Sequence, residues 1–325
     1  MRKILALIVI AFALYSGYWF YGERQVERSA REALAGLAQS DIHASYETLN
    51  TIGFPNRFDT TVTELGLVDR ASAIGIYFPI LQVFSLSYRP NHVIVSFPPE
   101  MELGVGDIGL PLFAEEARAS ITAGLGGVLP LQTATVSSAR LELKDQDLSL
   151  STGPILMAVR QQPGADAPIY DAFAEVTALR FPKNLRDLID PAGTLPEAIS
   201  QAKIDLELEF ASLIGFNTPS EPQLTRIHLR DLRVAWGDLE INASGQLDVD
   251  AAGVASGKID ITAHNWRRML EIAYNAGALT LDQFNQWQTM ASVMARGADD
   301  LKLPLEMQGG RMSLGPFPLG NAPRF

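Results

Sequence analysis

The sequence predicts an α+β fold that is mainly antiparallel β-sheet, with an inserted helical hairpin and one N-terminal transmembrane helix. Three observations lead to this prediction: an uncharged apolar run near the N-terminus, apolar residues at every second position through much of the later chain, and two helical stripes near the C-terminus. The 325 residues are 47% hydrophobic and 19% charged, which favours a folded core over disorder. We expect the strands to form a meander, built either as a half-open sheet or as a sandwich.

The N-terminal run extends from Ile4 to Tyr21 without a charged residue. It has nearly the length that a helix needs to cross about 30 Å of hydrocarbon. Arg2 and Lys3 precede it, and aromatic residues cluster at its far end, where their rings prefer the membrane–water interface. These predicted interface residues are Tyr18, Trp19 and Tyr21. We therefore predict a cytoplasmic stub over residues 1–3 and a signal-anchor helix over residues 4–21.

Two alternatives compete with an uncleaved anchor. Ala11-Phe12-Ala13 offers a cleavage site for a secretory signal, and the run would also fit a buried core helix. A cut after Ala13 would leave residues 14–21 as an exposed apolar stub, so we prefer the anchor. Arginines after the helix outnumber the basic residues before it, so charge counting alone does not set the orientation. We still expect export of the body, because long downstream domains translocate largely regardless of their charge.

Residues 22–40 predict an amphipathic helical stalk that leads away from the membrane. Its apolar residues recur at helical spacing. They are Val26, Ala30, Ala33, Leu34 and Leu37. A helix that senses lipid directly is the alternative interpretation of this segment.

Residues 41–325 form the predicted β-rich body. Its clearest strand carries Asp205, Glu207 and Glu209 on one face and apolar side chains on the other. Similar alternation surrounds Leu232 and Leu239. Such short alternating runs are typical of antiparallel strands with one face buried and the other in water. Between residues 230 and 264 we predict about four strands, which turn at Gly237-Asp238, Ser244-Gly245 and Ala252-Gly253.

A helical hairpin is predicted over residues 265–296. Its first stripe begins at Trp266 and ends at Gly277, and Thr280 with Gln283 forms a capping box for the second helix. A similar box, Thr194 to Glu197, predicts a short helix through Gln201. A weaker helix is expected over residues 113–123, and a loop over residues 161–168.

Composition and motifs exclude several classes of function. The net charge of -11 makes nucleic acid a poor partner, and the absence of cysteine excludes thiolate chemistry and disulfides. The four histidines lie far apart, the alternating pair Asp145 and Asp147 lacks the rest of a calcium loop, and Gly124 to Gly127 lacks the lysine of a phosphate loop. We therefore predict no catalytic residue, no cofactor and no metal site, and we expect a protein that is not an enzyme.

The apolar sheet face is the feature that points to a ligand. Such a face must be covered by a second sheet, by helices or by a molecule from outside, such as an acyl chain. A half-open sheet held beside a bilayer would be suited to shielding lipid tails from water. The predicted groove residues are Ile204, Leu206, Leu208, Phe210, Leu232, Val234, Trp236, Leu239 and Ile241.

Short stretches along nearly the whole chain resemble an uncharacterised proteobacterial family, the domain of unknown function 2125. They are Gly17-Tyr18-Trp19-Phe20, Tyr46, Gly53-Phe54-Pro55-Asn56-Arg57, residues 88–93 and residues 310–319. Residues 236–259 and the C-terminus are also similar to the AsmA-like envelope proteins, which are anchored by one helix and implicated in lipid handling or outer-membrane upkeep. The resemblance supplies no catalytic residue. It implies an exported body on a bacterial inner membrane.

These observations together predict a single-pass inner-membrane protein whose periplasmic body serves envelope maintenance and shields lipid on an apolar sheet face. Its expected partners are the membrane lipid bilayer and either lipid acyl chains or another envelope protein, with no nucleic acid. The first alternative is an envelope interaction scaffold with a closed core and no ligand. The second alternative is an envelope hydrolase.

Overall fold

The computed structural model describes residues 2–145, 148–164, 168–218 and 221–325. The chain divides into two compact units. The first comprises residues 1–123 with 143–145, and the second comprises residues 124–142 with 146–325. Both are built mainly from antiparallel strands, as the sequence predicts.

The first unit contains a long N-terminal helix and eight described strands. They are α1 (Arg2–Gly36), a 3-10 turn (Leu37–Ser40), β1 (Ile42–Ser45), β2 (Thr48–Ile52), β3 (Arg57–Asp69), β4 (Ile74–Leu86), β5 (Arg89–Ser96), β6 (Glu100–Val105), β7 (Ile108–Glu115) and β8 (Arg118–Ala123). The long strands β3 and β4 pair at the centre of the sheet. Both β1 and β2 pair with β3, while β5 and β6 pair with β4 and are followed outward by β8 and β7.

Helix α1 is continuous across the predicted boundary between anchor and stalk. Its second half lies on the sheet, where Ala30 and Leu34 pack against a buried cluster from β2, β3 and β4. Two polar contacts fix this position: Thr51 N donates to Glu27 Oε1 at 2.9 Å, and Arg31 Nη2 donates to Leu49 O at 3.2 Å. The segment predicted as a stalk therefore packs against the core of the first unit. The helix gives way at Gly36 to the 3-10 turn, after which Asp41 adopts a left-handed conformation.

The second unit forms one antiparallel sheet with helices inserted between its strands. Its elements are β9 (Leu131–Ser138), β10 (Arg140–Asp145, which extends into the first unit), β11 (Leu148–Ser151), β12 (Ile155–Gln161), β13 (Ile169–Arg180), α2 (Lys183–Ile189), β14 (Ala198–Phe210), β15 (Leu224–Trp236), β16 (Leu239–Val249), β17 (Ala255–His264), α3 (Trp266–Asn275), α4 (Leu281–Ala295), β18 (Asp300–Gln308), β19 (Arg311–Leu314) and β20 (Phe317–Asn321). β9 pairs with β12, and from β12 to β20 each strand pairs with the next in chain order.

The predicted helical hairpin is confirmed as α3 and α4. Both halves of the predicted capping box form: Gln283 N donates to Thr280 Oγ1 at 3.3 Å, and Thr280 N donates to Gln283 Oε1 at 2.9 Å. The hairpin packs on the sheet through a cluster that joins Trp266 and Ala291 to Leu301 and Leu303. A local sequence signal therefore marks the start of α4 correctly.

Two other predicted helices are wrong. Residues 194–197 are irregular, and β14 already begins at Ala198. The reason is tertiary, since Leu195 N donates to the buried Asp190 side chain at 2.7 Å and Trp236 Nε1 donates to Pro196 O at 2.8 Å. Residues 113–123 instead form the end of β7 and all of β8, with a turn at Glu116, whose φ is 52°.

The predicted turn at Ser244-Gly245 is also wrong, so residues 230–264 contribute three strands instead of four. Gly245 lies inside the continuous strand β16, opposite Ile259 of β17. A Cβ atom at this position would lie 2.3 Å from Lys258 O, so glycine allows the two backbones to approach closely. The predicted loop over residues 161–168 begins at the last residue of β12, and its residues 165–167 lie outside the described residues, as does Asp147.

The capping box of α4 leads to a testable prediction about the helical hairpin. Thr280→Ala should destabilise α4 by about 1 kcal/mol, because the first turn loses a side-chain acceptor for a backbone N–H. Thr289→Ala is the matched control. Its hydroxyl donates back to Asn285 O within the exposed part of the same helix, so its loss should be neutral. Hydrogen exchange of the first-turn amides of α4 measures the effect, and equal protection in both variants would contradict it.

Candidate functional site

The candidate site is the apolar face of the sheet in the second unit. Register pairing puts Ala174, Ile204 and Leu232 side by side on the neighbouring strands β13, β14 and β15. Directly paired residues point to the same face of a sheet, so the apolar side chains form rows across the strands. The rows continue through Ala243 and Ile261 into β16 and β17. The face is therefore continuous across most of the sheet.

The part of this face between β12 and β15 forms an open apolar hollow of 340 Å³. Its lining side chains stay partly exposed, and Met157 on β12 is 52% exposed. Glu175 and Lys203 also border it, although their register places their side chains on the opposite face, and all its other lining residues are apolar. The hollow is lined by Ile155, Met157, Ala174, Glu175, Val176, Ala202, Lys203, Ile204, Leu232 and Val234. We name it the open hollow.

The helical hairpin covers the next part of the same face and leaves a second cavity beneath it. This hairpin cavity measures 450 Å³, within the range of about 300–1,000 Å³ that is usual for small-molecule sites. Trp266 and Met269 of α3 and Trp287 of α4 form one wall, and Ile261 and Leu303 of the sheet form the other. Every residue that lines the cavity is apolar, so it can hold an apolar group and offers no partner to a buried charge.

The structure distributes the predicted groove residues along this one face. Three of them, Ile204, Leu232 and Val234, line the open hollow, and Ile241 lines the hairpin cavity. Where β15 ends and β16 begins, Trp236 and Leu239 are buried against residues from α2 and α3. The remaining three lie partly exposed along β14 on the same face: Leu206, Leu208 and Phe210.

The opposite face of the same strands is polar and centres on Arg230. Its guanidinium donates to Asp171 at 2.7 Å, to Glu207 at 2.6 Å and to Asp205 at 3.3 Å. Gln162 donates to both Asp171 and Glu207. These strands therefore carry ion pairs on one face and apolar side chains on the other.

Sequence reasoning missed the Arg230 cluster, although a signal for it exists. The apolar positions of β15 change phase between Leu229 and Leu232, because a β-bulge places both Arg230 and Asp231 on the polar side. A break in period-2 alternation inside a single strand predicts such a bulge. The bulge positions Arg230 to reach carboxylates on two neighbouring strands.

Hydrogen bonds within the Arg230 cluster lower the pKa values of two of its carboxylates. The hydrogen bond from Arg230 and then that from Gln162 lower the pKa of Glu207. Burial alone would raise the pKa of Asp171, but hydrogen bonds from Gln162, Arg230 and Arg160 outweigh it, so this pKa is lowered too. A carboxylate with a lowered pKa stabilises the fold at neutral pH, and this contribution is lost as the pH falls through the folded-state pKa.

Removing the central cation should therefore destabilise the sheet in a pH-dependent way. Arg230→Met should lower the free energy of unfolding by about 2 kcal/mol at pH 7. This loss lies between the small contribution of an exposed ion pair and the roughly 3–5 kcal/mol lost when a fully buried ion pair is broken. The difference in the free energy of unfolding between the native protein and the variant should shrink toward pH 4, because protonation relieves the repulsion among the unpaired carboxylates. Denaturant unfolding at several pH values measures it. Arg233→Met removes a single exposed pair with Glu240 and is the control, and equal losses in the two variants would contradict the prediction.

The aromatic residues predicted at the membrane interface divide into two environments. Tyr21 is exposed, and Tyr18 is partly exposed but donates its hydroxyl to Ser87 O at 2.6 Å. Trp19 is only 3% exposed. Its Nε1 donates to Arg57 O at 2.9 Å, and its ring lies against Phe54 and Phe58. Trp19 thus holds α1 to the turn between β2 and β3.

Gly22 allows this close approach of α1 to the sheet, and Gly53 allows the turn itself to close. A Cβ at Gly22 would lie 2.7 Å from the ring of Phe58. Gly53 adopts a φ of 118°, and a Cβ there would lie 2.9 Å from Arg57 O within the same turn. Glycine is therefore favoured at both positions, for a close contact at Gly22 and for a tight turn at Gly53.

Within the described ranges, no group of three or more His, Asp or Glu side chains is placed to hold a metal ion. His264 contacts Asp300 at 2.6 Å in an exposed pair, and this hydrogen bond raises the pKa of His264. His92 contacts Thr122 at 2.8 Å in the first unit. The prediction that the protein has no metal site and no cofactor stays a prediction.

The fold and its two faces define a class of protein: a mainly antiparallel β protein with an apolar sheet face and an N-terminal apolar helix. Of the helices in the described residues, α1 is long and apolar enough to span a membrane, a test that a signal sequence also passes. The sequence profile of the domain of unknown function 2125, described as an uncharacterised protein conserved in bacteria, matches residues 19–323. The chain belongs to this family. No curated protein and no solved structure matches it. The resemblance to AsmA-like envelope proteins stays a prediction.

Proposed function

We propose that this protein is a non-enzymatic, single-pass protein of the bacterial inner membrane whose periplasmic body binds lipid acyl chains on the apolar sheet face. Its role would be to shield lipid tails from water in envelope maintenance. The observation that carries the proposal is the open hollow, an apolar part of the sheet face that the hairpin leaves uncovered.

The energetics of the face favour an occupant. Apolar surface exposed to water costs about 25 cal/mol per Å², and monomeric soluble proteins rarely expose large contiguous patches of it. Five neighbouring strands, β9 and β12 to β15, spaced about 4.8 Å apart, give the face a width of about 19 Å. A long flat apolar surface of this kind suits a flexible chain of methylene groups, which needs no hydrogen-bond partner.

The hairpin cavity supports the same ligand chemistry. It lies on the same sheet face as the open hollow, because Val234, which lines the hollow, pairs directly with Ile241, which lines the cavity. One acyl chain could therefore lie along the hollow with its end beneath α3 and α4. The absence of polar side chains from the cavity lining also favours binding over catalysis, since acid–base chemistry needs positioned polar groups.

Docking of α1 supports a retained anchor. Helix α1 runs without a break through Ala11-Phe12-Ala13, where a signal would be cut. Only two residues beyond that site, Tyr15 donates its hydroxyl to Pro55 O at 2.8 Å, and Trp19 is buried in the first unit. The apolar helix is thus continuous with the folded part of the protein, as a membrane anchor requires.

Lipid analysis of the intact protein tests the proposal. The full chain is purified from its native membrane in a mild detergent, and organic extracts are quantified by mass spectrometry against a single-pass membrane protein treated identically. We expect acyl lipid in stoichiometric excess over the control protein. Equal lipid content in both samples would overturn the lipid proposal. Recovery of a bound envelope protein in place of lipid would favour a scaffold instead.

A further inference from the structure

We propose that the β2–β3 turn and the β4–β5 turn of the first unit are inserted into the membrane leaflet beside α1. This inference rests on the anchor in the proposed function, but not on lipid binding by the second unit. It adds a second membrane contact to the helix: the turn at residues 53–56, its neighbour Ile52, and the turn at Ser87 and Tyr88.

The part of α1 that is free of the turns is too short to cross a bilayer. Contacts between α1 and the turns begin at Phe12, whose ring meets that of Phe54 at 6.2 Å. The part of the helix before these contacts, Arg2 to Ala11, rises about 15 Å at 1.5 Å per residue. The hydrocarbon core is about 30 Å thick. A helix that spans this core must therefore continue past Phe12, and the turns docked on it share the bilayer with it.

Backbone groups at the two turns form hydrogen bonds with α1 and with each other. Backbone groups inside a bilayer must find partners within the protein, because the hydrocarbon offers none. The carbonyl oxygens of Pro55 and Ser87 accept from the hydroxyls of Tyr15 and Tyr18, at 2.8 Å and 2.6 Å. Between the two turns, Ser87 N donates to Asn56 O at 3.0 Å. These backbone groups of the two turns thus have partners within the protein, as a position away from water requires.

The two turns expose apolar and aromatic side chains. Ile52 is 60% exposed and Tyr88 is 70% exposed, and Phe54 stacks on Phe20 with much of its ring still accessible. Exposed apolar and aromatic residues at neighbouring turns are what an interfacial surface requires. Arg89, exposed directly after Tyr88, is placed to reach a lipid phosphate.

Spin labels at single cysteines test the insertion, since the chain contains no native cysteine. The full chain carries Ile52→Cys or Tyr88→Cys and is reconstituted into vesicles of phosphatidylethanolamine and phosphatidylglycerol. Collisions of the label with dissolved oxygen report lipid, and collisions with a water-soluble nickel complex report water. Ala71→Cys is the matched control, because it lies in the exposed β3–β4 turn, about 40 Å away along the thirteen residues of β3.

We expect labels at positions 52 and 88 to lose access to the nickel complex, while the label at position 71 keeps it. Leu7→Cys reports on the anchor itself and should behave as a lipid-exposed site. If positions 52 and 88 match position 71 while position 7 lies in lipid, the insertion is wrong and the anchor stands. If position 7 is accessible to the nickel complex, both the anchor and the insertion are wrong.

Discussion

Met157→Glu is expected to abolish lipid binding while leaving the protein folded. The side chain of Met157 is about half exposed on the open hollow, so a carboxylate there costs little in the empty protein. An acyl chain lying over it would bury the charge without a partner, which is strongly unfavourable. Lipid recovered per protein should fall at least about tenfold, which corresponds to 1.4 kcal/mol. Mass spectrometry of organic extracts from the full-length variant measures the change.

The neighbouring residue provides the control for this substitution. Leu156 lies on the same strand but on the opposite face, and it is 40% exposed. Leu156→Glu adds the same charge at nearly the same place in the fold, so its lipid content should equal that of the native protein. If both variants keep their lipid, the open hollow is not the binding surface. If both lose it, the effect comes from stability or charge and the assignment also fails.

Trp19→Ala is expected to release α1 from the first unit. Substituting a buried tryptophan by alanine typically costs about 3–5 kcal/mol, and here it also removes the hydrogen bond to Arg57 O and the ring contacts with Phe54 and Phe58. Release would expose the arginine-containing second half of α1 to trypsin, which cuts at arginine. Limited proteolysis of the detergent-solubilised full chain, with denaturant unfolding alongside, measures the effect.

Tyr21→Ala is the control for helix docking, because Tyr21 lies two residues further along α1 and is exposed. Its substitution should change stability by less than about 0.5 kcal/mol. Comparing Trp19→Ala with Tyr21→Ala tests whether Trp19 docks α1 on the first unit or lies at the membrane interface. An interfacial tryptophan would tolerate alanine as well as Tyr21 does, so equal proteolysis of the two variants would contradict the docking account.

Features that depend on neighbouring residues could be predicted from the sequence. The capping box of α4 needs only Thr280 and Gln283, and the alternation of β14 follows from its own residues. The apolar face was predictable for the same reason, because period 2 fixes which side chains share a side of the sheet. The length and apolar character of α1 could also be predicted from the sequence.

Features that depend on distant residues could not be predicted. The box at Thr194 has the same local form as that of α4, but its segment is held by Asp190 and Trp236 in a loop. The burial of Trp19 follows from the β2–β3 turn, which is separated from it by more than thirty residues of sequence. The uncovered state of the open hollow depends on where the hairpin lies on the sheet. Contacts between remote segments decided each of these outcomes.

Photo-crosslinking in living cells tests the central claim, that the open hollow binds acyl chains, most directly. A photo-reactive amino acid is placed at Met157 of the full-length protein, with position 156 as the control, and the protein is purified under denaturing conditions after irradiation. We expect a covalently attached lipid at position 157 and none at position 156. Attachment of another protein at position 157, with no lipid adduct, would contradict it.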